Sequence, residues 1–316
     1  MLEDEPKGGR PLRITLLGTS SAVPTFRRSL SGTLLERDGE AFLLDCGEGT
    51  QFQLMRAGAR RGHIGTILLT HLHGDHCYGL AGLLSSMNLN QREKPLLVIG
   101  PRGTGRWVEF IQTFPRPMRF NFEIRVKEIP DGYVGDVLEG QDYVVRTRPL
   151  LHRLPSQGYR FEEKPLPGRF DTARAEALGI PFGPDRGALV RGESVTLPDG
   201  SVVTPDDVVG PPRPGKVFVY CTDTGFCLEA KRLAQDADLL IHEATFSDAM
   251  HTMAWERTHS TLRQAATVAK AARVKRFVAT HFSTRFDRDS IKELEKEGRE
   301  VFPDLVMAKD LDVFEI

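Results

Sequence analysis

Short, largely apolar runs, each stopped by a polar or glycine-rich cluster, recur along this chain and read as β-strands. Residues 12–17 form the first, ended by Gly18-Thr19-Ser20-Ser21. Residues 31–37 and 41–45 flank Asp38-Gly39, a pairing that predicts a hairpin, because both residues tolerate the positive φ of a tight turn. Further strands are expected at 66–69, 96–100, 142–151, 216–220, 239–241 and 276–279, with two short ones at 305–308 and 311–314. Between them, the patterning predicts helices over 50–59, 77–88, 103–113, 228–236, 260–272 and 288–300. Such alternation is that of an α/β protein.

One stretch breaks the pattern. Residues 160–215 hold nine prolines and eight glycines in 56 positions, whereas the whole chain has 20 and 30 in 316. A stretch this rich in both can be neither a continuous helix nor a central strand. It is either a disordered linker or an inserted arm with a small structured tip. The helix-like segment at 171–178 favours the arm, so we expect a single domain over 1–316 carrying an insertion at about 160–215.

The densest chemistry follows the apolar run at 66–69: Thr70-His71-Leu72-His73-Gly74-Asp75-His76. Three of the chain's nine histidines fall within these six positions from His71. Imidazole and carboxylate donors together suit zinc and similar divalent ions. Residues alternate across a strand, so His71 and His73 can point the same way, while Asp75 and His76 open a helix and turn elsewhere. One loop could thus serve two metals, although a single zinc with three ligands and a water fits the motif too. A histidine or aspartate closes other strands as well: His152, Asp223, His242 and His281. In α/β layers, sites gather at the carboxyl ends of strands.

Composition narrows the class. Forty per cent hydrophobic and 27% charged residues suit a soluble globular protein. A net charge of −1 gives no global field for nucleic acid, so any such contact must rest on a local patch. The four cysteines have no metal-ligand spacing and read as reduced. An acidic start, Met1-Leu2-Glu3-Asp4-Glu5-Pro6, and the lack of any apolar run of about 20 residues lead us to expect a cytoplasmic protein without a membrane partner.

The H-x-H-x-D-H motif, with His152, Asp223 and His281, resembles that of the metallo-β-lactamase superfamily. Within it, the chain is most similar to the ribonuclease Z family of tRNA 3′-endonucleases. The resemblance is carried by Phe42-Leu43-Leu44-Asp45-Cys46-Gly47-Glu48, His242-Glu243-Ala244-Thr245-Phe246, His259-Ser260-Thr261, Thr280-His281-Phe282-Ser283, Ala308-Lys309-Asp310 and the Pro/Gly-rich arm. It implies an αβ/βα sandwich, two mixed β-sheets flanked by helices, with a protruding arm. It further implies two Zn2+ per subunit, one on His71, His73 and His152, the other on Asp75, His76 and His281, with Asp223 bridging. Asp75 would also accept the nucleophile's proton, and His259, oriented by Glu243, would act at the leaving ribose oxygen. Two adjacent metals suit such a reaction, since together they clamp both oxygens of an in-line displacement.

The implied substrate is precursor tRNA, cut to remove its 3′ trailer and leave a 3′-hydroxyl. The implied assembly is a homodimer in which one subunit's arm serves the other's active site. The run Gly179-Ile180-Pro181-Phe182-Gly183-Pro184 fits the family's tRNA-binding arm. Yet residues 160–215 carry seven basic and nine acidic residues, so RNA contact there must come from individual groups, for which Arg169, Arg174, Arg186, Gly183 and Pro184 are the candidates. Near the N-terminus, Arg27 and Arg28 are candidates too. The family's Pro-x-Lys-x-Arg-Asn loop is matched at Pro24 and Arg28, but Phe26 stands at the lysine and Ser29 at the asparagine. Cys221-Thr222-Asp223 likewise replaces a common Ser-Gly-Asp. The alternative reading is a related dinuclear hydrolase acting on a small phosphodiester or lactone, which would have no use for the arm.

Overall fold

The computed structural model describes residues 11–117, 119–287 and 289–316. The acidic N-terminus and Arg288, the expected start of the last helix, lie outside the described residues. The chain separates into two compact units. The larger comprises residues up to 139, 145–161 and 217–316; the smaller comprises 140–144 and 162–216.

The larger unit is built on two seven-stranded sheets. Strands β1 (Arg13–Gly18), β2 (Gly32–Arg37) and β3 (Glu40–Leu44) form an antiparallel meander. Asp38 (φ 42°) and Gly39 (φ 84°) make its tight turn, as expected for that pair. Helix α1 (Thr50–Arg56) leads to β4 (Ile64–Leu68). Two helices come next, α2 (Gly74–Cys77) and α3 (Gly79–Leu89), where a single one was expected; they meet at Tyr78. Then come β5 (Leu96–Pro101), α4 (Thr104–Thr113) and β6 (Ile124–Ile129). Strands β3 to β6 are mutually parallel. Strands β7 (Gly135–Glu139), β8 (Tyr143–Leu150) and β9 (Ser156–Glu163) begin the second sheet.

In the smaller unit, α5 (Thr172–Ala177) is capped by Asp171, whose carboxylate accepts from Arg174 N at 2.8 Å. Helix α6 (Pro184–Val190) starts on proline, and β10 (Val195–Thr196) pairs with β11 (Val202–Val203). Helix α7 (Pro205–Val208) has a Thr204/Asp207 capping box. Ala175, Ile180, Leu189, Leu197, Val203 and Val208 bury one another beneath these elements. An apolar core of its own is what a disordered linker lacks.

The larger unit resumes with β12 (Val217–Cys221), α8 (Leu228–Ala234) and β13 (Leu239–Glu243). A short helix that the sequence pattern does not predict, α9 (His251–Arg257), precedes α10 (Leu262–Ala271). The chain ends with β14 (Phe277–Thr280), α11 (Ser290–Arg299), β15 (Val306–Met307) and β16 (Val313–Glu315), the last returning to pair with β1. Strands β12 to β15 are parallel.

Helices α1, α3 and α4 bury apolar faces on the first sheet, through Leu54, Leu80, Leu83, Leu84 and Val108. Helices α8, α10 and α11 do the same on the second, through Leu233, Leu262, Ala266 and Leu294. Phe42 and Phe161, whose rings meet edge-on at 5.3 Å, pack the two sheets together. Among the described residues, no helix is long and apolar enough to cross a membrane.

Parallel register decides where the site lies. Cys221 pairs with His242 and Glu243 with Thr280, so β12, β13 and β14 end level. Leu44 pairs with Leu68, so β3 and β4 do too, while β5 runs two residues beyond Ile99, the partner of Leu68. The loops leaving these strands therefore emerge together, at the carboxyl ends.

Candidate metal centre

Three residues at these strand ends, Asp45, Asp223 and His281, have positive φ values of 58°, 46° and 59°. A non-glycine residue there is strained, by about 1–2 kcal/mol, and such strain concentrates where a side chain must be aimed. Each turns its side chain into one cluster.

Asp45, fully buried after β3, organises the loop after β4. Its Oδ1 accepts from Thr70 N (2.8 Å) and Thr70 Oγ1 (2.9 Å), while Oδ2 lies 2.8 Å from His76 Nδ1. Held at Nδ1, the His76 ring turns Nε2 inward. Tyr220 and Thr222 hydroxyls reach the same Oδ2 at 3.3 and 3.4 Å. The threonine that replaces glycine before Asp223 therefore joins this buried network. Two glycines let the loop close. A Cβ on Gly47 would stand 2.2 Å from Asp75 O, and one on Gly74 would stand 2.4 Å from the Tyr78 ring.

The donor atoms fall into two groups. His71 Nε2 lies 2.9 Å from His73 Nδ1, which lies 3.2 Å from His152 Nε2. Asp223 Oδ2 faces them, 3.6 Å from His71 Nε2 and 3.8 Å from His152 Nε2. On the other side, Asp75 Oδ2 is 3.5 Å from His76 Nε2 and 3.7 Å from His281 Nε2. Asp223 Oδ1 stands 3.1 Å from both of those nitrogens. One carboxylate thus presents one oxygen to each group.

Charge and hydrogen bonding test whether a metal fits. Burial pushes the imidazolium pKa values of His71, His73 and His152 below the ordinary range, favouring the neutral ring that ligates. Burial opposes ionisation of Asp75 and Asp223, but surrounding histidines outweigh it and hold both carboxyls well below their usual range. Asp223 Oδ1 is buried and makes no well-formed hydrogen bond, despite the two ring nitrogens at 3.1 Å. The donor set fits a divalent cation.

Beside it, Glu243 at the end of β13 is fully buried. Its Oε1 is 2.7 Å from His259 Nδ1 and accepts from Thr224 N at 2.8 Å. Its Oε2 accepts from Thr245 Oγ1 at 2.6 Å. Burial disfavours the His259 cation, but the Glu243 carboxylate overcomes this and raises its pKa to about 9. His259 Nε2 points back to the cluster, 3.9 Å from Asp223 Oδ2. The Thr245 hydroxyl, donating to Glu243, is also 3.0 Å from His281 Nδ1. If His281 donates its Nδ1–H there, Nε2 is left free for a metal.

The cluster therefore brings together His71, His73, Asp75, His76, His152, Asp223, Glu243, His259 and His281. Sequence reasoning assigned nothing to Asp45 or Thr245. Asp45 closes its strand as the others do, and that was the signal for it; Thr245 carried none. Buried His242 bonds its own neighbour's carbonyl, Glu243 O, at 2.7 Å. Cys77 is core, and His63 and His251 are exposed. Arg27 is exposed. Arg28, a candidate for RNA contact, donates through Nη1 to Thr19 Oγ1 (2.6 Å) and Ala308 O (2.7 Å), with its guanidinium 4.6 Å over the Phe282 ring. In the smaller unit Arg169 and Arg174 are exposed, while Arg186 donates to Ile180 O at 2.8 Å, near Gly183 and Pro184.

Comparison with known proteins places this geometry. Residues 12–106 match the family model described as anti-Pycsar protein Apyc1, and residues 208–282 that of the beta-lactamase superfamily domain. A ribonuclease Z of Picosynechococcus sp. is 45% identical over 304 residues, 95% of each chain. That of Salinibacter ruber is 46% identical over 302 residues, 95% of this chain and 93% of the other. Among solved structures, the short form of human tRNase Z superposes with a TM-score of 0.70 at 28% identity, covering 96% of this chain and 98% of that one.

Proposed function

The chain belongs to the ribonuclease Z family, and from that premise we propose that it hydrolyses precursor tRNA to remove the 3′ trailer, leaving a 3′-hydroxyl on the tRNA. The observation that carries the reading is Asp223, whose two oxygens face separate donor groups beside the Glu243–His259 pair. We assign zinc, two ions per chain: one to His71, His73 and His152, the other to Asp75, His76 and His281, with Asp223 shared. When bound, the metals supply Lewis-acid stabilisation of charge on the phosphate and bring water towards ionisation at neutral pH.

The chain's own groups do the rest. Ala22 N donates to Asp75 Oδ2 at 2.9 Å, which orients this carboxylate to take the proton of the attacking water. His259, kept charged by Glu243, holds a proton on Nε2 for the ribose 3′-oxygen as the P–O3′ bond breaks. His259 also lies within ligand reach of Asp223 and His281. Asp75 and His76 already oppose His281, and this frees His259 for the acid role. A homodimer in the cytoplasm is part of the same proposal.

The small unit is the proposed tRNA-binding arm, and this separates tRNA processing from hydrolysis of a small diester. Its ends are adjacent, since Glu163 N donates to Lys216 O at 2.9 Å, so a short loop can replace the residues between. That variant should lose precursor-tRNA cleavage while hydrolysing bis(p-nitrophenyl) phosphate at the wild-type rate. Cleavage of tRNA undiminished by the replacement would refute the arm's role.

A further inference from the structure

Four aromatic side chains form one continuous strip on the larger unit, beginning at the metal centre. Tyr78, where α2 meets α3, lines the cavity of about 440 Å3 that holds Asp75, His259 and His281. Its ring lies 5.7 Å from that of Trp107, centroid to centroid. Trp107 stacks on Phe110 at 5.7 Å and 12°, and Phe110 on Phe114 at 5.2 Å and 16°. The mechanism uses none of the four.

Helix α4 makes most of the strip. Positions 107, 110 and 114 recur at three and four residues, so their side chains share one side of the helix. The side packed on the sheet is another, formed by Thr104, Val108 and Ile111. Trp107 is half-buried and fixed by its Nε1, which donates to Cys77 O at 3.2 Å. Tyr78, Phe110 and Phe114 are 61, 50 and 62% exposed. Scattered exposed rings are ordinary, but a contiguous apolar strip marks a surface that meets something.

Charge says what that is. Residues 102–119 hold four arginines and one acid, Glu109, in a chain whose net charge is −1. All five residues are exposed, and none of the arginines forms an ion pair among the described residues. The carboxylate of Glu128 is taken up at the start of α4, accepting from Gly103 N and Gly105 N at 2.9 Å. Two copies of this chain meeting here would set these arginines against each other. A single-stranded polyanion with flat bases suits both features, since strand binders combine basic surface with stacking rings.

We propose that the strip carries the unpaired 3′ trailer of the precursor away from the cut, its bases stacking on Phe110 and Phe114 and its phosphates meeting the arginines around α4. The proposal rests on the reading of the substrate as precursor tRNA. Stacking on a side chain requires an unpaired base, because a duplex keeps its bases in their own stack. Of the two arms that meet at the scissile bond, the acceptor stem is paired and the trailer is not. Stacking is also sequence-tolerant, since every base has a π-face. The strip therefore reads the presence and length of a trailer rather than its sequence.

The test uses the full-length, metal-loaded protein and precursors that differ only in trailer length. Joint Phe110→Ala and Phe114→Ala substitution should lower kcat/KM on a trailer of about a dozen nucleotides by about 5- to 100-fold. It should leave unchanged both a trailer of one or two nucleotides and bis(p-nitrophenyl) phosphate, and tryptophan at both positions should restore the long trailer. With Trp255→Phe removing the chain's other tryptophan, a single-stranded oligoribonucleotide should quench Trp107 fluorescence and a duplex should not. The proposal fails if the alanine variant cleaves the long trailer as the wild type does, loses both trailers equally, or changes oligomeric state, which would make the strip a contact between copies. Absence of quenching by the single strand overturns it too. A wild type that shows the quenching but leaves every precursor intact would sink the substrate reading and not the strip.

Discussion

Asp75→Ala is expected to lower precursor-tRNA cleavage by about 1,000-fold or more, with RNA binding largely retained. The effect should be this large because one carboxylate serves two ends. Its Oδ2 faces His76 and His281, as a ligand would, and is fixed by Ala22 N for proton transfer. Neighbouring histidines hold its carboxyl well below the usual carboxylate range, so it is present as the anion that a ligand must be. Alanine removes both functions while leaving intact the Asp45 bonds that shape the loop. Single-turnover cleavage and a gel-shift titration on the same precursor separate chemistry from binding. Turnover unchanged by the substitution would refute the assignment.

His259→Ala should produce the second-largest loss, about 100- to 1,000-fold in kcat on precursor tRNA, and the choice of substrate shows why. A ribose 3′-alkoxide is a poor leaving group and needs a proton, whereas nitrophenolate leaves without one. The variant should therefore keep most of its activity on bis(p-nitrophenyl) phosphate. Glu243→Gln should reproduce the defect less cleanly, because Glu243 also accepts from Thr224 N and Thr245 Oγ1. Removing both groups should cost little more than removing His259 alone, since they act as a unit. Equal losses on both substrates would make His259 a metal ligand or a structural residue instead.

Much of this site was legible in the one-dimensional pattern. A strand that ends at a ligating residue advertises itself, because apolar periodicity stops abruptly at a polar group. Repeated at His71, His152, Asp223 and His281, that signal located the cluster before any geometry was known. Parallel register then turned a recurring pattern into one place. Asp45 escaped because its importance depends on which strands neighbour β3, and it meets Thr70 and His76 only once β3 and β4 align. Thr245 escaped because one hydroxyl between Glu243 and His281 leaves no mark in spacing.

Charge alone also says little about a loop arginine. Arg28 is a candidate for RNA contact because it is basic and lies in a loop, and its Nη1 also braces that loop against Thr19 and Ala308, which no charge count reveals. In the fold, the break at Tyr78 was hidden because residues 74–89 are compatible with one helix. The interruption coincides with a tertiary contact, where Gly79 N donates to Cys46 O at 2.9 Å. The short helix α9 lacks the apolar stripe that would have announced it; of its seven residues only Ala254 is buried.

The central claim is that this cluster cuts precursor tRNA at its 3′ side with bound divalent metal. The most direct measurement incubates the full-length protein with a 3′-extended precursor tRNA, with and without chelator, and maps the new ends. The account predicts one cut that releases the trailer, a 3′-hydroxyl on the tRNA and a 5′-phosphate on the trailer, lost on chelation and restored by zinc. A metal-loaded protein that hydrolyses bis(p-nitrophenyl) phosphate but leaves the precursor whole would contradict it.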